Sequence, residues 1–245
     1  MEFQMPSRKE LKADAKLKMK GRKPSTYLIS FVYVIILFVL ACVTNAVEYA
    51  GTDFNAILSA QPGDTQTIIN AVGEPTIFGQ IINILLEFMI IVMGAGFTIT
   101  SLSISRSLEA TVGTLFDGFG IFFRVLFLYI LEGIFIMLWS CLLVVPGIIA
   151  AYRYRMAMYI LWDNPDMSAF QCIKKSKEMM KGHKWTLFVQ DLSFILWDIL
   201  AIIPFVSIYV LPYETVTEAN FYNALAGYTG EGQVFEQDYT ENTEE

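Results

Sequence analysis

Of 245 residues, 55% are apolar and only 17% charged, and the formal net charge is −7. A soluble domain carries about 25% charged residues, so this composition excludes an ordinary water-soluble core. The charge is also uneven: residues 8–23 hold eight cations against Glu10 and Asp14, no Lys or Arg follows Lys184, and residues 214–245 hold eight acids.

In chain order, residues 7–23 predict a short basic helix. Leu11, Ala15 and Met19 recur every four residues, and Lys9, Lys12, Lys16 and Lys20 take other faces. Two readings stay open. The helix lies on an anionic membrane surface, each cation adding ~1 kcal/mol near the lipid, or it is a solvated arm that only sets orientation. Residues 27–47 follow without a charge, and ~20 apolar residues suffice for a helix to cross ~30 Å of hydrocarbon. That run exceeds an h-region of about 7–15 residues, and Thr44-Asn45-Ala46 is a poor cleavage site, so a retained signal-anchor is expected.

Positive-inside logic places the N-terminus in the cytoplasm. The loop at 48–76 then faces outward, with Glu48, Asp53, Asp64 and Glu74, no cation, and a turn at Pro62-Gly63-Asp64. A second span is expected over 77–104, with Glu87 its one charge and with Gly94 and Gly96 admitting a neighbouring helix.

Residues 119–151 are too long for one ordinary span. They form either one kinked helix or a hairpin turning at Pro146 and Gly147. The basic segment at 163–184 belongs inside, and only the hairpin returns it there. That segment predicts a helix capped by Ser168 and ended by Gly182. Ala169, Ile173, Ser176 and Met180 share one face, and Lys174, Lys177 and Lys181 share another that would meet anionic headgroups. A fifth span runs from Trp185 to a turn at Pro204, and a sixth over 205–225 has a polar half at 213–218. A single fifth span with the tail outside is the alternative. The tail after Gly227 is acidic and reads as disordered.

The expected fold is therefore all-α: a polytopic transmembrane helix bundle of about six spans, or five as the alternative, with cytoplasmic amphipathic helices. It divides into a basic cytoplasmic segment (1–26), a transmembrane helical domain (27–226) and an acidic tail (227–245). The expected location is the cell membrane, multi-pass, with the N-terminus cytoplasmic. Leu138-Trp139 before Pro146 is echoed by Leu196-Trp197 before Pro204, 58 residues on. The echo reads as two related parallel hairpins or as coincidence.

The stretch LWSCLLVVPGIIAAYRYRMAMYILWDNPDMSAFQCIKKSKEMMKGHKWTLF, then DLSFILW and LPYETVTEANFY, resembles the family called domain of unknown function 975, as does the opening SRKELKADAKLKMKGRK. The resemblance implies a bacterial multipass membrane protein and no particular activity. More distantly, the PGI turn and S-K-x-M-x-K-G-H-x-W are similar to the membrane domain of glycerophosphodiester phosphodiesterases, whose catalytic barrel is absent here. Two departures stand out. Arg153 and Arg155 replace small polar residues usual after the turn, and Asp198 replaces an apolar residue usual after LSFILW.

Little else suggests chemistry. The single histidine, His183, has no Cys or carboxylate cluster at ligand spacing. No serine is placed with a His and an acid, and no phosphate loop occurs. The three cysteines, Cys42, Cys141 and Cys172, give no disulfide framework. The expectation is a protein that is not an enzyme and needs no cofactor. The basic runs lack interleaved aromatics, so nucleic acid is not an expected partner; membrane lipids and membrane proteins are.

Charges inside the apolar runs are the sharp signal. Arg124 is near enough to an end to snorkel. Glu132, Arg153, Arg155, Asp191 and Asp198 lie deeper, either lining a polar path or pairing to fix register. At ~1.5 Å per residue, Arg153 and Arg155 fall about 9 and 12 Å below the outer surface, and Asp198 about 20 Å above the inner one. Asp198 is therefore expected to pair with Arg153 or Arg155, and Asp191, about 9 Å up, to lie too low. The function expected is a non-catalytic membrane scaffold or lipid-binding bundle. The alternative is a transporter or channel component using the buried charges.

Overall fold

The computed structural model describes residues 5–61, 64–72 and 76–228, and every regular element among them is helical. A capping box of Ser7 and Glu10 opens α1 (Arg8–Met19), and Ser25 caps α2 (Thr26–Glu48). In the loop that follows, Asp53 caps α3 (Phe54–Ser59) and Asp64 caps α4 (Thr65–Ala71). Hydrogen bonds from the hydroxyl and N–H of Thr67 hold the Asp64 carboxyl below its ordinary range. Pro62, Gly63 and Glu74, part of the expected turn and acidic loop, lie outside the described residues.

Next come α5 (Ile77–Ser105), a 3₁₀ turn (Gly113–Phe116), α6 (Asp117–Gly120) and α7 (Phe122–Leu142). They are followed by α8 (Val144–Tyr154), α9 (Ala157–Asp163) and α10 (Ala169–Met179). The chain closes with α11 (Lys184–Leu192), α12 (Ile195–Leu200) and α13 (Pro204–Ala226). Gly227, at φ 69°, ends α13 in the left-handed conformation that favours glycine. Of the acidic tail, residues 229–245 lie outside the described residues.

Three helices, α2, α5 and α7, are long and apolar enough to cross a membrane. The expected fourth span is instead broken into α8 and α9 at Arg155, and the fifth into α11 and α12 at Ser193 and Phe194. The hairpin turn between α7 and α8 also differs from expectation. The extended residue is Leu143, at φ −164° and ψ 150°, three residues before Pro146. Pro146 sits in the first turn of α8, where a missing N–H costs no hydrogen bond. Gly147 lets the two arms close: a Cβ there would lie 2.1 Å from the Ser140 Oγ.

Burial divides the molecule. The second half of α5 is almost wholly buried, from Val92 to Ser105, together with α9, one face of α10 and the end of α13. Its closest approach is at Gly96, where a Cβ would stand 1.8 Å from the Leu115 carbonyl oxygen. Gly94 has only an ordinary contact with Tyr33. The first half of α5, the outer part of α2, most of α7 and all of α12 keep large apolar side chains exposed, as lipid-facing helices do.

The basic helix α1 is neither laid on lipid by its apolar stripe nor a free arm. Leu11, Ala15 and Met19 are buried against α13 and α5. The stripe found a protein partner because Asn220 of α13 offers both an amide donor and an amide acceptor to it: its Nδ2 donates to the Leu11 carbonyl at 3.1 Å, and the Lys18 Nζ donates to its Oδ1 at 3.4 Å.

Candidate functional site

The break between α8 and α9 builds the main polar cluster. Freed backbone groups are costly in an apolar setting and need substitute partners. Ser176 of α10 supplies both here: the Met156 N–H donates to its Oγ at 3.2 Å, and its hydroxyl donates to the Arg153 carbonyl at 2.8 Å. Arg155, at the break, meets α13. Its Nε donates to the Glu218 Oε1 at 2.8 Å and its Nη2 to the Oε2 at 2.9 Å, a two-pronged fork. Its Nη1 lies 3.9 Å from the Asp191 Oδ2, which also accepts from the Tyr152 hydroxyl at 2.9 Å. The Arg155 side chain stays 41% exposed, against 11% for Glu218 and 24% for Asp191. Glu214 stands one turn before Glu218 on the same face of α13.

This corrects the expected charge pair. Arg155 pairs with Glu218 and Asp191, not with Asp198, which forms no ion pair among the described residues. Arg153 stays apart, its guanidinium 5.8 Å from the centroid of the Trp139 ring. The depth count failed for a physical reason. It assumed straight helices, whereas the breaks at Arg155 and at Ser193-Phe194 re-aim each chain, and the turn lies at Leu143. Asp191, expected to lie too low, is the aspartate that reaches Arg155. Arg124 does not snorkel free either: it donates to the Pro165 carbonyl and ties α7 to the loop before α10. Glu132 is apart from the cluster's hydrogen bonds, and its Oε1 is buried with no partner among the described residues.

A second cluster joins the ends of α5, α9 and α13. Arg106, at the end of α5, forks onto Asp163 at 2.6 and 2.5 Å and donates through its Nε to the Asn223 Oδ1 at 3.0 Å. The Tyr222 hydroxyl donates to Asp163 at 2.7 Å. The two charged side chains are only 10% and 8% exposed. Asn220 and Asn223 continue the network through Ser105, at 2.6 and 2.7 Å. A cleft of about 480 Å³ lies beside it, lined in part by Lys18, Arg106, Asn223 and Tyr228.

Lys12 of α1 seats on the break between α11 and α12. Its Nζ donates to the Ser193 carbonyl at 3.2 Å and stands 3.6 Å from the Phe194 ring centroid. Burial, then Arg8, holds the ammonium below its ordinary range, against the pull of Glu214 and Asp198. On α10 and the two residues that follow it, Ala169, Ile173, Ser176 and Met180 are buried as their spacing predicts, while Lys174, Lys177 and Lys181 are exposed, as are Phe170 and Trp185.

Glu214, Glu218, Tyr152, Arg106, Asp163, Tyr222, Asn220 and Asn223 were not singled out from the sequence. One signal was available. Glu214 and Glu218 stand four apart, and Asn220 and Asn223 three apart, which aligns each pair on one face of a helix otherwise apolar at its start.

The comparisons with known proteins agree on one point. The family model described as protein of unknown function (DUF975) matches the chain over residues 5–150 and 140–228. No curated protein matches, and no solved structure matches. The distant likeness to the membrane domain of glycerophosphodiester phosphodiesterases finds no support in them. The two matched stretches together take in the basic helix, all three long apolar helices and both charge clusters, and on that coverage the chain belongs to the DUF975 family.

Proposed function

We propose that this protein is a non-catalytic, multi-pass scaffold of the cell membrane that holds anionic lipid at its cytoplasmic face. The observation that carries this reading is α10. Its apolar face is spent on packing against α7, α8 and α9, which leaves Lys174, Lys177 and Lys181 exposed, as are Phe170 and Trp185. Exposed cations and aromatics suit the headgroup layer. In this reading α2, α5 and α7 cross the membrane whole, and three further crossings are made by α8 with α9, α11 with α12, and α13. Both termini are then cytoplasmic. Single cysteines on a background without the native three check the topology: an impermeant outer reagent should reach Asp64→Cys and not Lys175→Cys or Thr240→Cys. The lipid part is tested with spin-labelled phosphatidylglycerol in reconstituted vesicles. Replacing the three lysines with Gln should reduce the immobilised fraction, by up to ~1 kcal/mol per Lys. An unchanged fraction would remove the lipid role.

One observation favours a transporter or channel component as a second reading. The Arg155 fork is partly exposed, with a second acid, Asp191, 3.9 Å from its Nη1 and a third, Glu214, one turn from Glu218 on α13. Charges in such a setting often mark a wet path. Ion or solute flux into proteoliposomes, abolished by Glu218→Gln, would establish it over the scaffold.

A further inference from the structure

α2 and α5 pack side by side in opposite directions. Near one end Gly79 lies against Val47, and toward the other Phe97 stacks on Tyr33 with ring centroids 4.3 Å apart. Between these contacts Glu87 stands opposite the neighbourhood of Leu40, near the middle of the uncharged run at 27–47. Glu87 is exposed, not turned into the bundle. Among the described residues no cation and no hydrogen-bond donor reaches its carboxyl group. Around it Ile81, Ile84 and Leu85 are exposed too. One turn earlier, on nearly the same face, Asn83 has its Oδ1 buried without a partner.

A carboxyl group at the centre of a membrane is expensive, and such groups almost always face protein or water. Lipid supplies no hydrogen bond to the exposed Glu87. What covers this face must therefore bring polar groups to the same depth. We propose that the occupant is a second copy of this chain, docked α5 against α5 about a two-fold axis along the membrane normal. The face is complementary to itself. Two copies inserted with one orientation bring parallel α5 helices together, so each surface meets itself. Asn83 carries amide donors and Glu87 only carboxyl oxygens, and they are one turn, about 6 Å, apart along the axis. Across a parallel pair the Asn83 amide of each copy reaches the Glu87 carboxyl of the other, twice by symmetry. Polar contacts of this kind are the usual glue between helices in lipid.

The inference rests on α2 and α5 crossing the membrane, which cysteine labelling at position 64 checks separately. Its own test uses the full chain, without native cysteines, in native membranes. Ile84→Cys, on the exposed side of α5, is treated with a short thiol-to-thiol crosslinker, and Phe123→Cys, exposed on α7, serves as the control. Ile84→Cys should give a dimer of twice the chain mass, and Phe123→Cys should not. Adding Glu87→Leu should lower the dimer fraction about tenfold, the scale of paired interhelical hydrogen bonds. Glu87→Gln keeps an acceptor oxygen and should retain most of it. Because Leu suits a lipid-facing position, failure of insertion is not the expected fault, and Glu87→Gln controls for it. Equal dimer from both cysteine positions, no dimer at all, or a dimer unchanged by Glu87→Leu would overturn the proposal. So would an adduct formed only with a different membrane protein.

Discussion

The two halves of α5 belong to one apolar run and have opposite surroundings. Over 77–89 the helix exposes Ile77, Phe78, Ile81, Ile84, Leu85 and Met89, while from Val92 to Ser105 it is almost continuously buried. Apolar content alone did not choose which half would be packed. Lipid solvates an apolar side chain as well as a protein core does, so the hydrophobic effect discriminates weakly between the two. What marks the packed half is small and polar residues. Gly96 accepts the Leu115 backbone, and Ser101 and Ser105 reach Thr215 and Asn220 of α13 at 2.9 and 2.6 Å. Hydrogen bonds and close backbone contact are directional, and they place a helix where apolar area cannot.

The largest test of this comparison is the Arg106–Asp163 fork at the foot of the packed half. Asp163→Ala should destabilise by ~3–5 kcal/mol, because it strands a buried guanidinium. Arg106→Met with Asp163→Leu together should cost clearly less, since no charge is left unpaired. Thermal unfolding midpoints in detergent compare the variants, and equal losses would show that the pair is wetter than its burial implies.

A smaller effect separates two glycines. Gly96→Ala drives a Cβ into the Leu115 backbone and should cost up to ~3 kcal/mol by overpacking. Gly133→Ala, on the outer part of α7 with nothing within 4 Å, should be neutral or stabilise by up to ~1 kcal/mol through helix propensity. If both variants unfold alike, the division of the molecule into packed and lipid-facing parts is mistaken.

The smallest contrast concerns the acids around Arg155. Glu218→Gln removes a charged fork that is partly open to solvent, so ~1–2 kcal/mol is expected rather than the full value for a buried pair. Asp198→Asn, at an exposed residue with no ion pair among the described residues, should stay within about 0.5 kcal/mol. The same unfolding measurement serves, and the opposite ranking would restore Asp198 as the partner of Arg155.

Much of the helix layout was legible in the residues. The long uncharged run became α2 within a residue at each end, and the expected helix after Ser168 formed with its capping box and its buried and lysine faces as spaced. Helix period and capping are local properties, fixed by neighbours a few residues away. The breaks were less legible. Nothing at Arg155 or Ser193 is a proline or a glycine, so no local signal ended those helices. The break at Arg155 is stabilised by Ser176, 21 residues on, and that at Ser193 by Lys12 from the other end of the chain.

The sequence by itself determined that the chain is helical and apolar, which helix faces carry lysine, and where α2 and α5 would lie. These follow from composition, period and caps, which act at short range. Only the tertiary structure decided that α1 packs into the bundle, that Gly147 closes a hairpin whose turn is at Leu143, and that Arg155 answers to Glu218 and Asp191. Each of those choices depends on which backbone groups and charges meet after the helices break, and a break re-aims every side chain beyond it.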